Sequence, residues 1–176
     1  MNDAKQKLIF ALDVDNLEDA RNWVGQLHEQ VGVFKIGKQL FTKCGPEVVS
    51  LVQAGGAEVF LDLKYHDIPN TVAMAGLEAL RLGVRMFNVH ALGGFEMMAR
   101  LVSEVDAVCP RGNPERPLLL AVTILTSSND DTLRGIGIDR PVSKMVPRLA
   151  KLAKDAGMDG VVASPKEVAS IREVCG

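Results

Sequence analysis

Short apolar runs rich in β-branched residues alternate along the chain with segments in which apolar residues recur at helical spacing. The alternation predicts six strands, each followed by a helix, over residues 8–14, 33–37, 59–63, 85–90, 118–125 and 160–163. Strand and helix alternating in this way indicate an α/β fold whose strands run parallel and whose helices lie outside the sheet.

Residues with strong capping preferences mark where several predicted helices begin. Asn16 suits the cap of the first helix, and Pro46 suits the first position of the next one. Further helices are predicted over residues 70–82 and 142–156. Residues 164–167, Ser-Pro-Lys-Glu, form a capping box with proline in the first turn.

Residues 127–140, between the fifth strand and the next helix, include Ser, Asn, Asp and two Gly. The stretch is long for a barrel loop, where about two to six residues are usual. It is predicted to be a loop that closes over an active site as a lid. A flexible surface insertion is the alternative interpretation.

Polar side chains recur where the predicted strands end. They are Asp13, Lys35, Asp62, Lys64, His90 and Thr126. Barrel enzymes keep their chemistry at the C-terminal ends of their strands. No Gly-x-Gly-x-x-Gly follows the first strand to indicate a dinucleotide-binding sheet. The sequence therefore favours a (β/α)8 TIM-type barrel, of which this chain supplies about six βα units.

A complete barrel has eight βα units in typically about 250 residues. We expect residues 1–176 to form a single barrel domain that lacks the last two βα units. An open sheet would expose two bare edges, which favour aggregation. The chain is therefore expected to be part of a longer protein.

Composition narrows the classes of function. With 47% hydrophobic residues and a formal net charge of −2, the chain suits a globular domain rather than a nucleic-acid-binding or polybasic membrane surface. No apolar run approaches the roughly 20 residues that span a bilayer. The first residues lack an apolar signal core, which predicts a cytoplasmic protein. Cys44, Cys109 and Cys175 are odd in number and widely spaced, as is typical of reduced thiols.

Residues 62–67 read Asp-Leu-Lys-Tyr-His-Asp and put three charges at the end of the third predicted strand. Asp62 and Lys64 are two residues apart and share a face of a strand, whereas Asp67 follows after the chain begins to turn. Burying such an array costs several kcal/mol per ion unless every partner is well placed. Both a catalytic site and a solvated strand end with an incidental ion pair fit this spacing.

Residues 62–71, Asp-Leu-Lys-Tyr-His-Asp-Ile-Pro-Asn-Thr, resemble the signature of the orotidine 5'-phosphate decarboxylase family. The strand ends at residues 10–15, 34–37, 88–91 and 121–127 also resemble those of the family, in its order. The resemblance implies a TIM-barrel enzyme of de novo pyrimidine biosynthesis that converts orotidine 5'-phosphate to UMP and CO2. It also implies a homodimer with shared active sites and a reaction without cofactor or metal. The family's phosphate-binding segments would lie beyond Gly176.

The implied reaction leaves a carbanion at C6 of the pyrimidine, in the plane of the ring, where the ring carbonyls stabilise it poorly. Fixed charges in a water-poor site are then the main source of catalysis. In this mechanism Lys64 stabilises the carbanion and donates its proton. Asp62 crowds the leaving carboxylate, and Asp67 completes an Asp-Lys-Asp network.

The resemblance also assigns substrate-binding roles. Asp13 and Lys35 would bind ribose hydroxyls, although a turn and a surface lysine are ordinary alternatives at these positions. Thr126 would contact the pyrimidine edge, or merely begin a loop. His90 is interpreted as a hydrogen-bonded structural histidine rather than a catalytic one.

Three residues would act across a dimer interface if the resemblance holds. Asp67, Ile68 and Thr71 would reach into the active site of the partner subunit. Thr71 is also suited to capping the helix that begins near Asn70.

Two other functions remain open from the sequence. A metal-dependent sugar-phosphate decarboxylase or lyase of the same barrel group has a similar Asp-x-Lys-x-x-Asp pattern, and Asp13, Asp62 or Asp67 would then bind magnesium. A non-catalytic phosphosugar-binding protein is the other alternative. Against the metal enzyme, Lys64 already neutralises the carboxylates and residues 68–71 resemble the decarboxylases. Against the binding protein, a decayed site should have lost a charge, whereas Asp62, Lys64 and Asp67 are all present.

Overall fold

The computed structural model describes residues 3–176, and within them six strands form one sheet. The strands are β1 Ile9–Ala11, β2 Val33–Gly37, β3 Glu58–Tyr65, β4 Met86–His90, β5 Leu118–Val122 and β6 Gly160–Val162. Every neighbouring pair is parallel, and the strand order follows the sequence. The sheet curls into a half-barrel with alternating helices, which confirms the predicted partial (β/α)8 architecture.

One or two α-helices follow each strand along the chain, and a further short helix precedes β1. They are α1 Asp3–Gln6, α2 Leu17–Leu27, α3 Lys38–Cys44, α4 Glu47–Ala54, α5 Pro69–Arg81, α6 Phe95–Val108, α7 Asp130–Gly135, α8 Val142–Asp155 and α9 Val168–Cys175. The predicted cap at Asn16 is confirmed, because its side chain accepts a hydrogen bond from the Asp19 N–H at 2.8 Å. The capping box of residues 164–167 is also confirmed, at the start of a 3-10 turn that precedes α9.

The prediction that residues 127–140 are a loop was wrong in part, because they contain α7. Asn129 and Thr132 form a capping box at the start of this helix, and Leu133 is its buried residue. Polar capping residues around one apolar anchor have the composition of a loop, so the sequence pattern missed a short helix. Helix α3 was missed too, since its seven residues bury only Leu40.

The core lies between the inner surface of the helices and the sheet. The largest fully buried side chains of the strands include Phe34, Ile36, Leu61, Phe87 and Leu119. Burying each such side chain contributes about 1.5–3 kcal/mol relative to leaving it exposed. This apolar layer fixes the strands, and therefore the relative positions of the residues at their ends.

Glycine at position 76 allows α5 and α6 to pack closely. A Cβ atom there would lie 2.2 Å from Leu101 Cδ1 and 3.2 Å from Phe87 Cζ. The first distance is shorter than real carbon contacts and the second is tight, so Leu101 or the α5 backbone would have to move to accept a larger side chain. Among residues 3–176, no helix has both the length and the apolar character needed to cross a membrane.

Candidate functional site

Four charged side chains meet at the C-terminal edge of the sheet, and we call them the Asp62 network. Its members are Asp13, Lys35, Asp62 and Lys64. Lys35 Nζ lies 3.4 Å from Asp13 Oδ1 and 3.5 Å from Asp62 Oδ2. Lys64 Nζ lies 2.6 Å from Asp62 Oδ1. Parallel pairing of β1, β2 and β3 brings these residues together from distant positions in the sequence.

The carboxylate of Asp62 is the centre of this network. It is largely buried and receives hydrogen bonds or ion pairs from both lysines and from Asn88. Asp13, at the outer end of the network, keeps 77% of its side chain exposed. The network therefore runs from a buried carboxylate to an exposed one, with the two ammonium groups beside it.

Lys64 has an unusual backbone conformation. Its φ of 52° makes it the one non-glycine residue with positive φ in the part of the chain that the structure describes. Such a conformation costs about 1–3 kcal/mol and persists only where the surrounding structure imposes it. The register between β3 and β4 also shifts at this point, between Leu61 and Tyr65. Asp62 and Lys64 are thus held by an irregular strand, although alternation along a regular strand is what predicted their meeting.

Asn88 is a site residue that the sequence analysis missed. It is fully buried in the middle of β4. Its Nδ2 donates to Asp62 Oδ1 at 2.7 Å, and its Oδ1 accepts from the Lys64 backbone N–H at 2.8 Å. The available signal was an amide side chain inside the otherwise apolar segment Met-Phe-Asn-Val, because a buried amide needs partners.

The other predicted residues of the 62–71 segment lie apart from the Asp62 network. Asp67 Oδ1 accepts a hydrogen bond from the Ile68 N–H at 2.7 Å. Within residues 3–176 no ion pair joins Asp67 to Lys64. Ile68 is the N-cap residue of α5 and is 66% exposed, and Thr71 is exposed in the first turn of that helix. Thr71 does not cap α5 through its side chain.

Two more of the predicted residues lie at strand ends. Thr126 lies beyond the end of β5, and His90 is the last residue of β4. Thr126 is exposed. The His90 ring lies 5.4 Å from the His66 ring, centre to centre. Burial lowers the pKa of His90, and the nearby His66, Lys38 and Lys64 lower it further. His90 is therefore neutral near pH 7 and adds no charge to the site.

A cleft of about 250 Å³ opens beside the network. The charged groups that line it are three lysines, Lys35, Lys38 and Lys64, and the carboxylates of Asp13 and Asp62. Lys38, directly after β2, was not predicted as a site residue. The excess of ammonium groups suits an anionic ligand. Among residues 3–176, no group of three or more His, Cys, Asp or Glu side chains is arranged to hold a metal ion.

Two proteins with similar sequences carry the same name. The chain is 63% identical over 174 residues to an orotidine 5'-phosphate decarboxylase of Syntrophotalea carbinolica, covering 99% of this chain and 71% of that protein. It is 60% identical over 173 residues to the protein of the same name from Geobacter sulfurreducens, covering 98% of this chain and 72% of that one.

Solved structures agree with the sequence matches. The crystal structure of orotidine 5'-phosphate decarboxylase from Lactobacillus acidophilus superposes with a TM-score of 0.86 at 40% identity, covering 96% of this chain and 76% of that one. An uncharacterised conserved protein of Geobacillus kaustophilus gives 0.87 at 40% identity, over 96% and 78% of the chains. The model of the orotidine 5'-phosphate decarboxylase / HUMPS family matches residues 6–176. The chain belongs to this family.

Proposed function

We propose that this chain forms part of the catalytic barrel of an enzyme that converts orotidine 5'-phosphate to UMP and CO2 without a cofactor. The observation that carries the proposal is the Lys64 ammonium, held 2.6 Å from the buried Asp62 carboxylate at the C-terminal edge of the barrel. This is where barrel enzymes place their chemistry. The 63% identity to a protein named for this activity supports the same substrate.

In the proposed mechanism, the bond between C6 and the carboxylate carbon breaks and its electron pair stays on C6. The Lys64 ammonium stabilises this charge and then transfers a proton to C6, which gives UMP. The resulting neutral amine regains a proton from water. Because its ion pair with Asp62 fixes the ammonium before the substrate arrives, little reorganisation is needed when the negative charge develops.

Asp62 acts on the reactant in this mechanism. Its carboxylate lies beside Lys64 Nζ, so a substrate carboxylate next to that ammonium is close to a second negative charge. Loss of CO2 removes the repulsion, and the unfavourable contact is therefore stronger before the reaction than after it. Lys35 and Asn88 hold Asp62 in position while this repulsion acts on it.

The remaining predicted residues have binding roles in the proposal. Asp13 and Lys35 bind the ribose hydroxyls, since one offers an exposed carboxylate and the other an ammonium at the cleft. Thr126, exposed beyond β5, offers its hydroxyl to the edge of the pyrimidine.

We also propose that two copies of the chain form a homodimer and share their active sites. Asp67, Ile68 and Thr71 are exposed at the N-terminal end of α5, and Asp67 lacks an ion pair with the Lys64 of its own chain. An apolar side chain as exposed as Ile68 suits an interface. Asp67 would then complete the Asp-Lys-Asp array of the partner subunit.

The metal-dependent sugar-phosphate alternative has less support. Oδ1 of Asp62 accepts from Lys64 and Asn88, and Oδ2 faces Lys35, so a divalent cation would have to displace an ammonium group. One direct assay distinguishes the two functions. The full-length protein should release CO2 from orotidine 5'-phosphate and keep its rate in excess EDTA. No turnover, or a rate that EDTA abolishes and magnesium restores, would contradict the proposal.

A further inference from the structure

Asn88 occupies a gap in the hydrogen-bond ladder of the sheet at the site. Leu61 pairs with Phe87 and Tyr65 pairs with Val89, so β3 advances four residues while β4 advances two. Asn88 is the β4 residue between these pairs, and it faces a β3 segment with more residues than it can pair with through its backbone. Regular pairing therefore cannot satisfy the backbone of this segment.

The Asn88 side chain supplies the missing bond. The Lys64 N–H donates to its Oδ1 at 2.8 Å, in place of a backbone carbonyl. The opposite end of the same amide donates to Asp62 Oδ1 at 2.7 Å, and this oxygen also accepts from Lys64 Nζ. One planar, fully buried group thus holds the backbone of Lys64 and the side chain of Asp62 at the same time.

We infer that Asn88 is a positioning residue, which keeps Lys64 in its left-handed conformation and aims its ammonium and the Asp62 carboxylate at the same point in the cleft. Asn88 itself need not touch the substrate. The inference rests on the proposed function of the Asp62 network, and it assigns a role to a β4 residue outside the charged array. A single rigid amide is suited to this role because its donor and acceptor are fixed relative to each other.

Asn88→Asp separates the two hydrogen bonds with little change of shape. The new carboxyl group can still accept from the Lys64 N–H. When it is ionised, however, it places a second carboxylate against Asp62. The charged or titratable groups around Asp62 are Lys35, Lys64 and His90. Two carboxylates in contact bind a shared proton more tightly than either alone. When that proton is bound, the group donates to Asp62 as the amide does, and when it is lost the two repel.

The expected result is a new pH dependence. The kcat of Asn88→Asp divided by that of the wild type should be highest at low pH, and should fall about tenfold per pH unit above the pKa of the shared proton. Asn88→Ala should lower kcat about a hundredfold at every pH through misalignment. It should change the affinity for UMP, which has no C6 carboxylate, by much less. A loss caused only by packing would give no such pH dependence.

Thr123→Val is the matched control. Thr123 is also a fully buried polar residue, directly after β5, and its hydroxyl donates to the Val162 carbonyl at 3.3 Å rather than to a member of the Asp62 network. Equal kcat losses in Thr123→Val and Asn88→Ala would overturn the inference. So would an Asn88→Ala variant within about twofold of wild-type kcat, a pH-independent ratio for Asn88→Asp, or failure of both Asn88 variants to fold.

Hydrogen exchange separates this inference from the proposed function. The Lys64 amide proton should exchange at least about tenfold faster in Asn88→Ala than in the wild type, because it loses its acceptor, and should stay protected in Asn88→Asp. A wild type that does not turn over orotidine 5'-phosphate would contradict the proposed function alone. Unchanged Lys64 exchange in Asn88→Ala would contradict the positioning role alone.

Discussion

Charged side chains gather at both ends of the sheet, and the two groups are built differently. Opposite the Asp62 network lies a group that we call the Arg116 cluster. It consists of Asp106, Arg111, Arg116 and Asp159, near the N-terminal ends of β5 and β6. Both arginines contact both aspartates, at 2.7 to 3.3 Å, so that charges of opposite sign alternate around a closed ring.

The charged groups of the Arg116 cluster are paired with one another. Arg116 has only 5% of its side chain exposed, and Asp159 also accepts from the Leu119 N–H at 2.8 Å. Burial opposes the charge on Arg116, but hydrogen bonds to Asp159 and Asp106 outweigh burial, and the pKa of Arg116 is raised. The cluster ties the end of α6 to the starts of two strands, and among the buried side-chain nitrogen and oxygen atoms of residues 3–176 Arg116 Nη2 alone has no hydrogen-bond partner.

The Asp62 network does not form a closed ring of ion pairs like the Arg116 cluster. Its contacts to Lys35 are long, its outer carboxylate is exposed, and Lys64 is held in a costly backbone conformation. Backbone strain is therefore found at the end of the sheet that holds the proposed site, whereas each charged group of the Arg116 cluster has two partners of opposite charge. The comparison predicts that substitutions at the C-terminal ends of the strands affect activity, and that substitutions at the N-terminal ends of the strands affect stability.

Lys64→Ala should have the largest effect on activity. It removes the cation and the proposed proton donor, so we expect no measurable decarboxylation by the full-length protein, with a free energy of unfolding close to that of the wild type. Lys151→Ala is the control, because Lys151 is an exposed lysine paired with Asp155 on α8. A Lys64 variant within about tenfold of wild-type kcat, a loss of only about 1.4 kcal/mol, would mean that another group donates the proton.

Mixed dimers test whether a residue of a second subunit completes the proposed active site. Subunits of Lys64→Ala and Asp67→Ala, each inactive alone, are allowed to exchange. Random exchange makes about half of the dimers mixed, each with one intact site of two, so activity should recover to about a quarter of the wild-type value. If exchange is verified and activity stays at zero, Asp67 acts within its own subunit.

Arg116→Met should be the most damaging change at the N-terminal end. Asp106 and Asp159 keep only the half-exposed Arg111 as an ionic partner, and the free energy of unfolding should fall by about 3 kcal/mol. The kcat of the protein that remains folded should not change. Arg81→Ala, which removes an exposed pair with Glu78, should cost about 0.2–1 kcal/mol. Denaturant unfolding measures both, and similar losses would refute the contrast between buried and exposed pairs.

The smallest effect expected is the titration of His90. Its pKa is lowered in the folded protein, mainly by burial, so the unfolded chain binds the proton first. Stability should therefore fall as the pH drops below about 6.5, the ordinary pKa of histidine. His90→Gln should flatten this part of the curve of unfolding free energy against pH. An unchanged slope between pH 6.5 and 5 would show that other groups cause the loss.

Much of the architecture could be predicted from local pattern. Apolar runs identified all six strands, because a buried strand needs continuous apolar residues. The cap at Asn16 and the box at residues 164–167 depend on neighbouring residues only, and both were correct. Short helices such as α7 were missed because one buried leucine leaves no periodicity to detect.

The sequence by itself determined the fold class, the succession of strands and helices along the chain, and the charged residues at the strand ends, since these follow from periodicity and residue chemistry. Only the tertiary structure decided how those residues meet. It put Asn88 between Asp62 and the Lys64 backbone, in a shift of register that no residue pattern announces. It also kept Asp67 out of the Asp62 network. The reason is physical: pairing between strands and closure of buried hydrogen bonds depend on residues far apart in the chain.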